Sequence, residues 1–251
     1  MCTMTIIPRA AESTLRMRLA FNRDESRTRP LALPPVVRPF GARRAILPID
    51  PVSDGTWIAV NDAGIAAGLL NVYGESGAGA VRGARSRGEI IPSILDCTSL
   101  EAALDRLTGR AELAAEFSAF DLVLSDGLRW AELRLDHAGV RALRPRILDE
   151  PLLFTSSGLG DDRVQTPRRR LFEEMIVSAD DPLAQQAAFH RHRWPDRPEL
   201  SVCMSRPEAC TVNFAIIELH TREARLTYWP APPDQAVTPM TLSLPIAALA
   251  A

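Results

Sequence analysis

Cys2 and a short polar run around residue 23 are the residues whose types could do chemistry together. Removal of Met1 would leave Cys2 with a thiol and a free α-amine on one residue. That amine has an ordinary pKa of about 7.7–8.0. It can therefore act as base for its own thiol, the logic of catalysis by a chain-opening nucleophile, and no separate histidine is needed. Such a site also needs an acceptor for the ammonium, a cation that favours thiolate, and donors for an oxyanion. Asn22-Arg23-Asp24-Glu25 carries groups of these kinds, and Asn71 closes a second polar stretch.

These groups meet only if the right elements position them. Residues 2–7 and 15–21 read as a hairpin, with Leu15, Met17, Leu19 and Phe21 alternating onto one face, so the polar run ends the strand that pairs with Cys2. Six prolines over residues 30–51 predict an extended connection without helix. Strands over 56–61 and 65–71 flank the turn Asn61-Asp62-Ala63-Gly64, and the glycine-rich stretch 74–88 reads as a loop. Ser86 and Glu89 fit a capping box for a helix carrying Ile90, Ile91, Ile94 and Leu95. Further helices are expected from Ser99 to Gly109 and over 111–117. Strands are expected over 120–125, 129–135, 140–144 and 152–156. Helices starting at Thr166-Pro167 and Asp181-Pro182 precede strands over 200–204, 211–219 and 224–229. The alternating blocks predict a single α+β domain over residues 1–251, with antiparallel sheet layered by helices.

Composition narrows the function classes. The 251 residues carry 29 basic and 31 acidic side chains, too balanced for a dedicated nucleic-acid binder. Every basic residue is Arg, which excludes a Schiff-base lysine and the lysine of a phosphate-binding loop. No apolar run reaches the roughly 20 residues of a membrane span. The start, Met1-Cys2-Thr3-Met4-Thr5-Ile6-Ile7-Pro8, lacks the pattern of an export signal, so a cytoplasmic location is expected. Cys97, Cys203 and Cys210 read as packing residues. His190-Arg191-His192 is half a metal site without a second half, and Cys203 and Cys210 are not spaced for zinc, so no metal is expected. Gly77 and Gly79 lack the context of a dinucleotide loop. Arg168-Arg169-Arg170 reads as a solvated helix face.

Phe21-Asn22-Arg23-Asp24-Glu25 resembles the motif of the NRDE proteins, the transport and Golgi organisation protein 2 family. Met1-Cys2-Thr3, Asp54-Gly55-Thr56-Trp57, Asn61, Gly64, Ser86-Arg87-Gly88, Ser156-Ser157, Pro167-Arg168 and Thr211-Val212 extend the likeness over essentially the whole chain. That family is similar to the N-terminal nucleophile hydrolases of the choloylglycine hydrolase and penicillin V acylase type. The resemblance implies an αββα four-layer sandwich and hydrolysis of a non-peptide amide bond in a small molecule. It makes Cys2 the nucleophile, Asp24 the acid that holds the α-amine, and Asn71 the oxyanion-hole asparagine. Arg23 stands for the cation near the thiol, although the acylases space it differently, and Arg18 is the alternative. Ser156 or Ser157 replaces a second asparagine, and no residue matches the acylases' late arginine. Asn22, Arg18, Asn61 and Ser157 are the remaining binding candidates. No cofactor is needed for that reaction. The family's other implied role is haem trafficking or the handling of acyl-CoA or lipid, in which Cys2 or a histidine ligates iron, or arginines clamp a carboxylate or phosphate.

Overall fold

A computed structural model of the chain describes residues 2–9, 13–73 and 83–246, without the side chains of 161 and 162. Most of the stretch read as a glycine-rich loop, residues 74–82, lies outside the described residues, as does Met1. Two antiparallel sheets form the centre. The first has the order β10-β1-β2-β11-β12-β13, from β1 (Cys2–Pro8), β2 (Leu15–Ser26), β10 (Leu152–Ser156), β11 (Ala209–His220), β12 (Glu223–Trp229) and β13 (Met240–Pro245). The second runs in sequence order, through β3 (Leu33–Phe40), β4 (Arg43–Ile49), β5 (Ile58–Asn61), β6 (Ala66–Asn71), β7 (Phe120–Ser125), β8 (Arg129–Asp136) and β9 (Gly139–Ile147).

Apolar alternation places each layer. Met4, Ile6, Leu19 and Phe21 of the first sheet meet Ile58, Val60, Leu70 and Val123 of the second. Each such side chain contributes about 1.5–3 kcal/mol on burial. The outer face of the second sheet is covered by α1 (Leu100–Thr108), whose Leu100, Ala103, Leu104 and Leu107 are buried as their spacing predicts. Ser99 caps that helix through the Ala102 backbone N–H. The outer face of the first sheet is covered by α3 (Asp161–Phe172), a π-helical turn (Glu173–Val177) and α4 (Pro182–Arg191), through Phe172, Ile176 and Phe189 on Ile7, Leu153 and Val202. The result is the four-layer αββα sandwich. Close approach between the sheets is set at Gly68, where an added Cβ would sit 2.3 Å from the Met4 sulfur. No helix among the described residues is long and apolar enough to cross a membrane.

Several local expectations are corrected. The proline-rich stretch 30–51 is not a mere connection but the hairpin β3–β4. The prolines of β3 are tolerated because β3 is the sheet edge and its register shifts between Leu33 and Val36, around Pro34 and Pro35. The capping box at Ser86 forms, but Pro92 splits the expected helix into two 3-10 turns, Arg87–Glu89 and Pro92–Ile94. The helix over 111–117 shrinks to the single turn α2 (Leu113–Glu116). The helix placed at Thr166-Pro167 starts at Asp161, so Pro167 lies inside it rather than at its first position. Residues 200–204 form turns instead of a strand, although Ser201 to Met204 are all buried. β13 has no counterpart in the sequence reading.

Candidate active site

Register brings Cys2 and the polar run together. Cys2 lies opposite Arg23 of β2 on one side and Ser156 of β10 on the other. β2 continues beyond Arg23, so Asp24, Glu25 and Ser26 have β11 but no β1 residue as partner. Strand parity would send Arg23 and Asp24 to opposite faces. Because the neighbouring strand ends there, both side chains border the same opening. The register shift in β11 between Thr211 and Asn213, opposite Asp24 and Arg23, bends the partner strand at that point.

The opening is a cavity of about 560 Å³. Cys2, Arg23, Asp24 and Asn71 all line it, together with Trp57, Tyr73, Arg29, Asp50 and Arg87. Of the four proposed chemical residues none is missing. Asn71 ends β6 and donates through Nδ2 to the Tyr73 hydroxyl at 3.2 Å. The Arg23 guanidinium stacks 4.2 Å from the centre of the Trp57 ring and donates to Asp50 Oδ2 at 2.6 Å. Arg29 reaches the same oxygen at 2.8 Å. Asp50 opens a tight turn whose Asp54 has φ +52°, and the Val52 backbone N–H donates to Asp50 Oδ1. Burial alone would raise the Asp50 pKa, but that N–H and the two guanidiniums outweigh it and hold the carboxyl below its usual range. The positive charge beside the thiol is therefore fixed in place by a carboxylate.

Cys2 and Asp24 are tuned the other way. Burial pushes the Cys2 thiol up, as does the Asp24 carboxylate, while the Asp24 backbone N–H and Arg23 work against them. Asp24 is 3% exposed, and burial raises its pKa although Arg168 opposes the shift. Its Oδ1 accepts from the Thr211 hydroxyl at 2.6 Å. Its Oδ2 is buried with no hydrogen-bond partner among the described residues. A buried carboxylate oxygen without a donor is costly and marks a place where a donor belongs.

The binding candidates lie elsewhere. Asn22 donates to the carbonyls of His190 and Val202 and does not line the cavity. Arg18 pairs with Glu218 at 2.8 Å, five pairs along the hairpin from Cys2. Asn61 clips the β5–β6 turn to the carbonyls of Leu95 and Cys97. Ser157 is fully buried outside the lining, and its hydroxyl accepts from the Leu159 backbone N–H. Between the two cations, geometry favours Arg23 over Arg18.

Arg168 is a further correction. It is not on a solvated face but is 0% exposed, while Arg169 and Arg170 remain exposed. It donates to Thr3 Oγ1 at 2.7 Å and to the carbonyls of Leu200 and Ser201, and its charge acts on Asp24 and Cys2. It thereby ties α3 to the β1 strand that carries the nucleophile. Asp50, Arg29 and Tyr73 are site residues that sequence reasoning did not single out, and Arg168 was read there as solvated. The Pro167-Arg168 pair carried the one available signal, and nothing in spacing links Asp50 or Arg29 to Cys2.

Comparison with known proteins agrees with the architecture. The model of the family described as Transport and Golgi organisation 2 matches residues 1–177. No curated protein matches the chain. Among solved structures, penicillin V acylase from Agrobacterium tumefaciens aligns with TM-score 0.55 and 13% identity, over 98% of this chain and 86% of that one. The N-acylethanolamine-hydrolyzing acid amidase ortholog of Caenorhabditis elegans aligns with TM-score 0.58 and 13% identity, over 86% and 92%. A variant of conjugated bile acid hydrolase from Clostridium perfringens aligns with TM-score 0.55 and 9% identity, over 100% and 99%. The fold is that of the N-terminal nucleophile hydrolases.

Proposed function

The chain belongs to the Transport and Golgi organisation 2 family, and from that premise we propose that it is an N-terminal-cysteine hydrolase of a non-peptide amide bond in a small molecule. One observation carries the reading. Cys2, Asp24 and Asn71 converge on one cavity, and Asp24 carries a buried carboxylate oxygen that has no donor among the described residues. The ammonium of a Met1-free Cys2 is a donor of the right charge for that oxygen.

In this mechanism Asp24 orients the Cys2 α-amine, which takes the thiol proton. The thiolate attacks the amide carbonyl carbon, a C–S bond forms, and the carbonyl electron pair moves to oxygen. Asn71 Nδ2 turns from the Tyr73 hydroxyl to the developing oxyanion. Arg23, held by Asp50 and Trp57, keeps the region electropositive. Collapse breaks the C–N bond, and the amine leaves with the proton returned by the α-ammonium. Water, deprotonated by the same amine, then cleaves the thioester to release the acid and restore the thiol.

Incubation of the Met1-free chain with a panel of simple N-acyl amides, followed by mass spectrometry of the products, tests this. Matched release of acid and amine that disappears in Cys2→Ala is expected, with a loss of about 10³-fold or more. Release that survives in Cys2→Ala would overturn the proposal. Of the ligands that the haem-carrying alternative would use, Cys2 lines the cavity and none of the four histidines does.

A further inference from the structure

Among the described residues, four arginines line the cavity: Arg23, Arg29, Arg85 and Arg87. Three have carboxylate partners. Arg23 and Arg29 share Asp50, and Arg85 pairs with Glu89 and Glu116. Glu25 is engaged by Arg23 and Arg29. Arg87 is different. It is half-buried, and its one hydrogen bond goes from Nη1 to the Ala119 carbonyl at 2.9 Å. Among the described residues it has no carboxylate within ion-pair distance. Burial lowers its pKa, opposed by Tyr73, by Cys2, whose sulfur is close enough to be felt electrostatically, and by the more distant Glu25 carboxylate, which makes no ion pair with it. A charge kept partly out of water without an ion-pair partner among the described residues is retained at a cost, which an incoming anion would relieve.

The turn that carries this side chain is fixed in place, and the Ala119 carbonyl orients its guanidinium. Ser86 and Glu89 cap the turn that carries it, and the Thr56 backbone N–H donates to the Gly88 carbonyl at 2.9 Å. The turn also lies against Gly55, where an added Cβ would sit 2.4 Å from the Gly88 carbonyl carbon. A guanidinium that faces the nucleophile's cavity without an ion-pair partner among the described residues is a receptor for a planar or tetrahedral oxyacid group.

We propose that Arg87 is an anion-recognition residue and that the amide substrate carries a carboxylate or phosphate which it receives. The word substrate rests on the hydrolase reading; the anion site itself does not.

Calorimetric titration of the full chain and of its Cys2→Ser variant with N-acetylglycine, neutral N-acetylglycinamide and inorganic phosphate tests it. The acid is expected to bind at least tenfold more tightly than the neutral amide in both chains. Whichever of N-acetylglycine and phosphate binds more tightly identifies the oxyacid. Arg87→Gln should reduce the anion to the level of the neutral amide, and Arg87→Lys should retain part of the preference. Equal binding of acid and amide, no binding of either anion, or a preference unchanged in a folded Arg87→Gln would overturn the proposal. Should Arg87→Gln not fold, alkylation of Cys2 in the unmutated chain decides. An iodoacetate-to-iodoacetamide rate ratio above that of free cysteine supports the site, and a ratio at or below it overturns it. Anion preference without amide turnover would remove the hydrolase reading alone, whereas turnover without the preference would remove only this one.

Discussion

Asn22 and Asp24 lie two residues apart on one face of β2, and their surroundings differ sharply. Asn22 has every polar atom engaged. Its Nδ2 donates to two carbonyls, and its Oδ1 faces His190 Nδ1 at 3.1 Å. Because Asn22 Oδ1 can only accept, His190 carries its proton on Nδ1, and His190 Nε2 accepts from the Thr5 hydroxyl at 2.8 Å. Asp24, one pleat further on, has one oxygen bonded to Thr211 and the other without a partner among the described residues. A satisfied buried polar group fixes which face packs where. An unsatisfied one is costly, and in the proposed mechanism the Cys2 α-amine is the group that answers it.

Substitutions at these two positions should therefore separate stability from function. Asn22→Ala strands the His190 ring and two carbonyls, at a cost of about 3 kcal/mol, read as a lower denaturation midpoint. Asp24→Asn keeps the acceptor for Thr211 and removes a charge that burial disfavours. It should leave the folded chain as stable or more stable near pH 7, while amide turnover falls about 10²-fold. An Asp24→Asn chain that is both active and destabilised would erase the contrast.

The pH dependence sharpens it, because the two groups have opposite signs. Burial, with the Arg168 charge beside it, pulls the His190 pKa down to about 3, against about 6.5 when unfolded. Below pH 6.5 the unfolded chain takes up a proton that the folded chain refuses, so stability falls as pH drops towards 3. The slope is about 1.4 kcal/mol per pH unit. His190→Gln should flatten the acid limb of stability by one proton. Asp24, whose pKa is raised, binds its proton more tightly when folded. Its contribution is lost as pH rises above the ordinary Asp range, so the benefit of Asp24→Asn should vanish at pH 3. Chemical denaturation across pH 3–8 checks both.

The hairpin that places Arg23 beside Cys2 was legible because Leu15, Met17, Leu19 and Phe21 alternate without interruption. α1 was legible because Ser99 caps a run with one apolar stripe. The hairpin β3–β4 was hidden by prolines, which weaken strand signals even on an edge where they do no harm. Pro167 looked like a helix start because a residue without an N–H is most easily placed there, yet α3 begins with a glycine N-cap, Gly160, whose φ is +96°. Arg168 was illegible for a different reason. Burial of a cation depends on carbonyls at Leu200 and Ser201, far away in sequence, and local charge patterning carries no trace of them. The same holds for Asp50, whose pairing with Arg23 exists only once the two sheets pack.

The central claim is that the thiol and α-amine of Cys2 work as one unit on Asp24. The most direct measurement compares a Met1-free chain with one that retains Met1, each treated with an acylating β-lactone and mapped by peptide mass. The account predicts an acyl group on Cys2 in the Met1-free chain, formed far faster than in the chain that keeps Met1. Equal acylation of the two forms, or none at Cys2 in either, would contradict it.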